Sequence, residues 1–100
     1  MTESEGTLIV AMMLNAARVA GEYCRDSGYP PPTTDQIAEM RVLWQKAFIT
    51  FVTALSAQGL PDREPTEYEL AQIEAVVIGT AQGAVVRVLG ESPGFKARAN

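Results

Sequence analysis

Apolar residues recur at spacings of three and four through the middle of the chain, and this pattern predicts a long amphipathic helix. The stripe consists of Ile37, Met40, Trp44, Ala47, Phe51 and Leu55, widened by Leu43, Phe48 and Val52. Thr33 starts the helix, because a threonine three residues before Gln36 makes a capping box. Gly59 and Pro61 end it. We therefore expect a central helix within residues 33–59, with Trp44 in the core.

The segment before it has the same period and predicts a first helix that ends near Arg25. Its start is open, because Thr2 with Glu5 makes a capping box while Thr7 offers a second cap. Residues 26–34 then contain three consecutive prolines, which exclude a helix and predict a stiff connector.

A third apolar segment follows a second loop at residues 59–65. Thr66 and Glu69 make another capping box, and Gly90 is a stop signal after Leu89. The apolar positions between them again have helical spacing: Leu70, Ile73, Val77, Ala81, Ala84 and Val88. These features predict a third helix.

A β-hairpin is the alternative for the second half of this segment, because residues 75–78 and 84–89 are rich in β-branched side chains. Helix is favoured, since the helical period continues through Gly79 and Gly83. The two glycines then lie one turn apart on one face. We expect them to allow close helix packing or to produce a kink.

These elements predict an all-α fold, a compact bundle of three main helices, or four or five if some are broken. One hundred residues suit a single domain. We assign residues 1–90 to one helical domain and expect residues 91–100 to form a flexible tail.

The sequence contains no histidine and one cysteine, Cys24, which excludes several kinds of chemistry. A Ser-His-Asp triad, a Cys-His dyad and a structural zinc site within one chain all need residues that are missing. We predict no catalytic residue, no metal ligand and no cofactor, and we do not expect an enzyme.

Acidic residues crowd the second loop and the start of the third helix. They are Asp62, Glu64, Glu67, Glu69 and Glu74. Carboxylates at a helix start complement the helix dipole, which explains them without a partner. The other interpretation is a partner-binding surface for a protein with a basic groove. The net charge of −4 argues against direct nucleic-acid binding.

No segment of the sequence predicts a membrane span. The apolar run at residues 8–14 is too short, and Glu3 and Glu5 precede it where a secretory signal carries positive charge. We expect a cytoplasmic protein, in the host cell if it is encoded by a phage.

In length, acidity, absence of histidine and helical build, the whole chain resembles the small accessory proteins of bacteriophages and mobile elements, the anti-CRISPR proteins among them. Since those proteins share no motif, the resemblance assigns no site residue. It implies a non-catalytic inhibitor that binds a basic surface of a nucleic-acid-handling host complex.

The alternative function is a phage structural or assembly protein that forms helical homo-oligomers. Val42 and Ile49 favour it, because they place apolar groups on a second face of the central helix.

Overall fold

Residues 1–90 are described by a computed structural model, and they form three α-helices: α1 Glu3–Asp26, α2 Thr34–Ser56 and α3 Glu67–Leu89. These helices hold 78% of the described residues, among which there is no strand. The predicted all-α bundle of three helices is confirmed, and the hairpin alternative for the third segment is wrong. The predicted tail at residues 91–100 lies outside the described part of the chain.

Each helix begins at a threonine whose side chain accepts a hydrogen bond from the third helical residue, while that residue's side chain accepts one from the threonine backbone. These reciprocal pairs are Thr2 with Glu5, Thr33 with Gln36, and Thr66 with Glu69. All three predicted capping boxes are therefore present, and α1 starts from Thr2 rather than from Thr7.

The ends of the helices follow the predicted stop signals less closely. Helix α2 ends at Ser56, three residues before Gly59, which has a φ of 90° inside the connector. Helix α3 ends at Leu89 as predicted, and Gly90 follows with a φ of 85°. Both glycines adopt a positive φ that other residues rarely tolerate.

Of the two roles expected for Gly79 and Gly83, close packing of a neighbouring helix is absent from the described part of the chain. Helix α3 is unbroken across both positions, so neither produces a helix break. A Cβ atom added at either one would meet nothing within 4 Å, so no neighbouring helix approaches there.

Every helix packs against the other two. Residues late in α1 share a cavity with residues early in α2, and residues early in α2 share another with residues late in α3. Helix α2 therefore runs antiparallel to both others, and α1 and α3 run parallel. Phe48, Val52, Val85, Ala16 and Ala81 are completely buried along the axis of the bundle. Trp44 is 3% exposed, which confirms its predicted place in the core.

Candidate functional site

The parallel arrangement of α1 and α3 brings their amino-terminal ends to the same end of the bundle. Glu3 and Leu8 of α1 line one surface depression together with Pro61 of the α2–α3 connector. Carboxylates from two separate stretches of sequence, residues 3–5 and 62–69, are therefore collected at this end. We call this surface the acidic end, and its carboxylates are Glu3, Glu5, Asp62, Glu64, Glu67 and Glu69.

Glu69 differs from the other carboxylates of the acidic end because its side chain is buried. The residue is 8% exposed, and both of its oxygens accept hydrogen bonds from the Arg63 guanidinium, at 2.8 Å and 2.6 Å. The Thr66 backbone N–H also donates to it at 2.9 Å. Hydrogen bonding to Arg63 and then to the Thr66 backbone lowers the pKa of Glu69 to about 2.

Arg63 ties the connector to the start of α3 through further contacts. Its Nε donates to the Gln58 carbonyl oxygen at 3.1 Å. Its side chain also lies beside Gly59, where an added Cβ would be 3.6 Å from the Arg63 Nε. We call the bidentate pair of Arg63 and Glu69 the clamp. It holds a connector whose Leu60 is only 3% exposed and is packed inward.

The remaining predicted site residues are solvent-exposed, and among the described residues they form no ion pair. Asp62 and Glu64 lie on the connector, and Glu67 lies in the first turn of α3. Glu74 is seven residues beyond Glu67, about 10 Å further along the same side of the helix. Their partner-binding role stays a prediction. Of the five residues predicted to bind a partner, these four are accessible and Glu69 is not.

Sequence reasoning missed two contributions to this end. Glu3 and Glu5 belong to it, which follows from the parallel course of α1 and α3 rather than from distance along the sequence. Hydrogen bonding to the Thr2 side chain and then to its backbone lowers the pKa of Glu5. The clamp was missed too. The sequence does contain a signal for this pair, because Arg63 is the one basic residue among the clustered acids.

An open groove lies between α1 and α3, with a volume of about 280 Å³. Its walls are mainly apolar and include Leu8 and Val19 from α1 and Ile73 and Ile78 from α3. Glu74 lines it as well, so the groove begins where the acidic end stops. We call this feature the α1–α3 groove.

A second cavity of about 280 Å³ lies between α1 and α2 and is lined by Gly21, Cys24, Arg41 and Trp44, among others. Burial raises the pKa of the Cys24 thiol, which makes it a poorer nucleophile. The Trp44 Nε1 is buried and has no hydrogen-bond partner among residues 1–90. This lining contains no carboxylate, and among residues 1–90 no group of three or more metal-ligating side chains is placed to hold an ion.

The second apolar face that was predicted for the central helix exists only in part. Val42 is 65% exposed, whereas Ile49 is partly buried and packs against the core. Ile49 therefore has a structural role that needs no second copy of the chain.

Within the part of the chain that the structure describes, α3 is the one helix long and apolar enough to cross a membrane by length and composition. One such helix is weak evidence for a membrane span. Helix α3 packs against both other helices and carries Glu67, Glu69 and Glu74.

No protein-family model matches the chain, and neither a curated protein nor a solved structure shows significant similarity to it. The functional argument therefore rests on the geometry and charge of the surfaces described above.

Proposed function

We propose that the protein is a non-catalytic, protein-binding inhibitor of a nucleic-acid-handling host complex, of the anti-CRISPR kind. In this proposal the acidic end docks on a basic groove of the partner and competes with the phosphates that the groove binds. The site of action is the host cytoplasm.

The uneven distribution of charge is the observation that carries this proposal. Among the described residues, the acidic end holds six carboxylates and one basic side chain, Arg63, which is already paired with Glu69. The opposite end is nearly balanced, with Glu22, Asp26, Asp35 and Glu39 near Arg25, Arg41 and Arg87. Such a one-sided field steers a protein towards a positively charged partner and gives affinity that falls with salt.

The clamp supports the proposal because it makes the acidic end rigid before binding. A connector that is already ordered loses little conformational entropy when it docks. Glu64 and Glu67 flank the clamp and are exposed to solvent, and Arg63 also donates to the Glu64 backbone carbonyl oxygen. The clamp therefore orders the backbone of the connector without neutralising their charges.

Two carboxylates of the acidic end are unsuited to act as general acids. A general acid of this type needs a raised pKa, produced by burial or by a neighbouring like charge. Glu5 and Glu69 are shifted in the opposite direction, because helix-cap hydrogen bonds and Arg63 stabilise their charged forms.

The test measures binding by charge-reversed proteins. Tagged protein is used to capture partners from host lysate, which mass spectrometry identifies, and affinity for the recovered partner is then measured. The variant Asp62→Lys/Glu64→Lys/Glu67→Lys should bind at least about tenfold more weakly than wild type. Wild-type affinity should also fall as added salt shortens the Debye length below about 10 Å.

A matched control carries the same change in charge at the opposite end: Glu22→Lys/Asp35→Lys/Glu39→Lys. It should bind nearly as well as wild type. Equal weakening by both triple variants would show that only net charge matters, and unchanged binding by both would show that the acidic end is not the interface. Either result contradicts the proposal.

A further inference from the structure

Helix α3 leaves apolar side chains exposed outside the core of the bundle. An 18-residue stretch of it has a mean hydropathy of 1.3, yet only 22% of that stretch is buried. Leu70 is 52% exposed and Ile78 is 37% exposed, and both line the α1–α3 groove. Exposed apolar side chains that share a groove are typical of an interface.

The two sides of the groove carry opposite charges. Arg18 lines the groove from α1, and Glu74 lines it from α3. Glu74 forms no ion pair with any residue in the described range. Arg18 pairs with Glu22 at 3.2 Å, but both side chains are at least about half exposed, so this pair contributes little to stability. Both charged groups are therefore available to a partner.

We propose that a second copy of this chain occupies the groove, which makes the protein a symmetric dimer. This inference does not depend on the proposed function. A surface that presents an apolar floor between one positive and one negative side is complementary to itself, which is the requirement for an isologous two-fold interface.

The parallel course of α1 and α3 determines how the copies meet. A two-fold axis that runs along the groove places α1 of each copy over α3 of the other. The axis keeps every residue at its own height along the bundle, so the long Arg18 side chain of each copy extends along the interface to Glu74 of the other, and the pair forms twice. Ala11, a small residue on the α1 side of the groove, leaves room for Leu70 of the other copy.

The acidic connector stays free in this dimer. Asp62 and Glu64 lie outside the groove lining, so two acidic surfaces remain exposed, one on each copy. Glu74 is covered, which removes it from the partner-binding set predicted from the sequence.

Sedimentation equilibrium across a range of concentrations tests the apolar part of the interface. Wild type should sediment as a dimer, and Ile78→Glu should raise the dimer Kd at least about a hundredfold, because it buries an unpaired charge. Val42→Glu is the matched control, since Val42 is 65% exposed on α2 outside the groove. A wild-type protein that is monomeric up to about millimolar concentration, or a dimer dissociated by Val42→Glu, overturns the proposal.

A charge swap at two exposed positions tests the orientation without touching the core. Arg18→Glu and Glu74→Arg should each raise the dimer Kd about tenfold or more, since each places like charges opposite one another twice. The double variant should return to within about threefold of wild type. Additive weakening in the double variant means that the two side chains do not meet, and it overturns the proposed arrangement.

Discussion

The two connectors of the bundle are fixed by different kinds of interaction. The connector at residues 27–33 is anchored by Tyr29, whose ring is buried against Tyr23 and whose hydroxyl donates to the Gly90 carbonyl oxygen beyond α3. The connector at residues 57–66 is anchored by Leu60 and by the clamp. One end is thus held mainly by an aromatic side chain, and the other in large part by an ion pair.

This difference explains why the acids collect at one end. A charged anchor makes one carboxylate structural, and the helix starts of α1 and α3 favour further negative charge beside it. The aromatic anchor does not require a carboxylate, so acidic and basic residues are mixed around it. Stability of the charged end should therefore depend on pH and salt more than stability of the aromatic end.

The largest expected effect is on the core that both ends share. Trp44→Ala should lower the free energy of unfolding by about 3 to 5 kcal/mol, the range for removing a buried aromatic side chain. Urea denaturation followed by circular dichroism measures it. A single transition in the variant would show that both connectors depend on one core, whereas two separate transitions would show that the ends unfold independently.

The aromatic anchor should contribute somewhat less. Tyr29→Ala should cost about 3 kcal/mol, at the low end of the same range. Tyr29→Phe isolates the hydroxyl group and should cost about 0.5 to 1.5 kcal/mol, the usual contribution of one hydrogen bond. If both variants unfold at the wild-type urea concentration, the contact with Gly90 does not anchor this end.

The clamp should make the free energy of unfolding depend on pH. The pKa of Glu69 is about 2 in the folded chain against an ordinary value of 4.5. Between these values the unfolded chain binds more protons, so the stabilisation present above pH 4.5 is lost as the pH falls towards 2. Glu69→Gln removes this contribution and should lower Tm at neutral pH by about 4 °C or more.

The matched comparison for that variant is Tyr29→Phe, which leaves the clamp intact. Its free energy of unfolding should decline between pH 4.5 and 2 in parallel with wild type, while that of Glu69→Gln should decline less. Parallel curves for all three proteins would mean that the clamp does not stabilise the fold.

The smallest expected effect is that of a neighbouring exposed carboxylate. Glu67→Gln removes a charge from the first turn of α3, where only the dipole interaction is lost, so it should cost less than about 1 kcal/mol. Thermal unfolding of Glu67→Gln and Glu69→Gln under the same conditions compares the stability lost at two positions that lie only two residues apart. If both variants lose the same stability, Glu69 does not support the fold more than its exposed neighbour does.

Much of the fold could be predicted from the sequence because its signals are local. Three threonine capping boxes and an unbroken helical period specify three helices, and the period correctly outweighed the β-branched residues around Gly79. The roles of Gly79 and Gly83 could not be read this way, because only the packing of the bundle determines whether another helix approaches them.

The candidate site was less predictable for the same physical reason. Glu69 was grouped with its acidic neighbours, although its position in a capping box already directs its side chain back towards Thr66. The contact with Arg63 depends on how the connector bends, which no residue spacing reveals. Glu3 and Glu5 join the site only through the parallel packing of α1 and α3.

The central claim is that one carboxylate of the acidic end supports the fold while its neighbours are free to bind. Thermal unfolding of two charge-reversed variants tests it most directly. Asp62→Lys/Glu64→Lys/Glu67→Lys should melt within about 5 °C of wild type, because dipole interactions at a helix start are small. The single variant Glu69→Lys should lower Tm further than the triple variant, because it places two positive charges together at a partly buried site. A triple variant less stable than Glu69→Lys, or a Glu69→Lys protein that melts like wild type, would contradict the account.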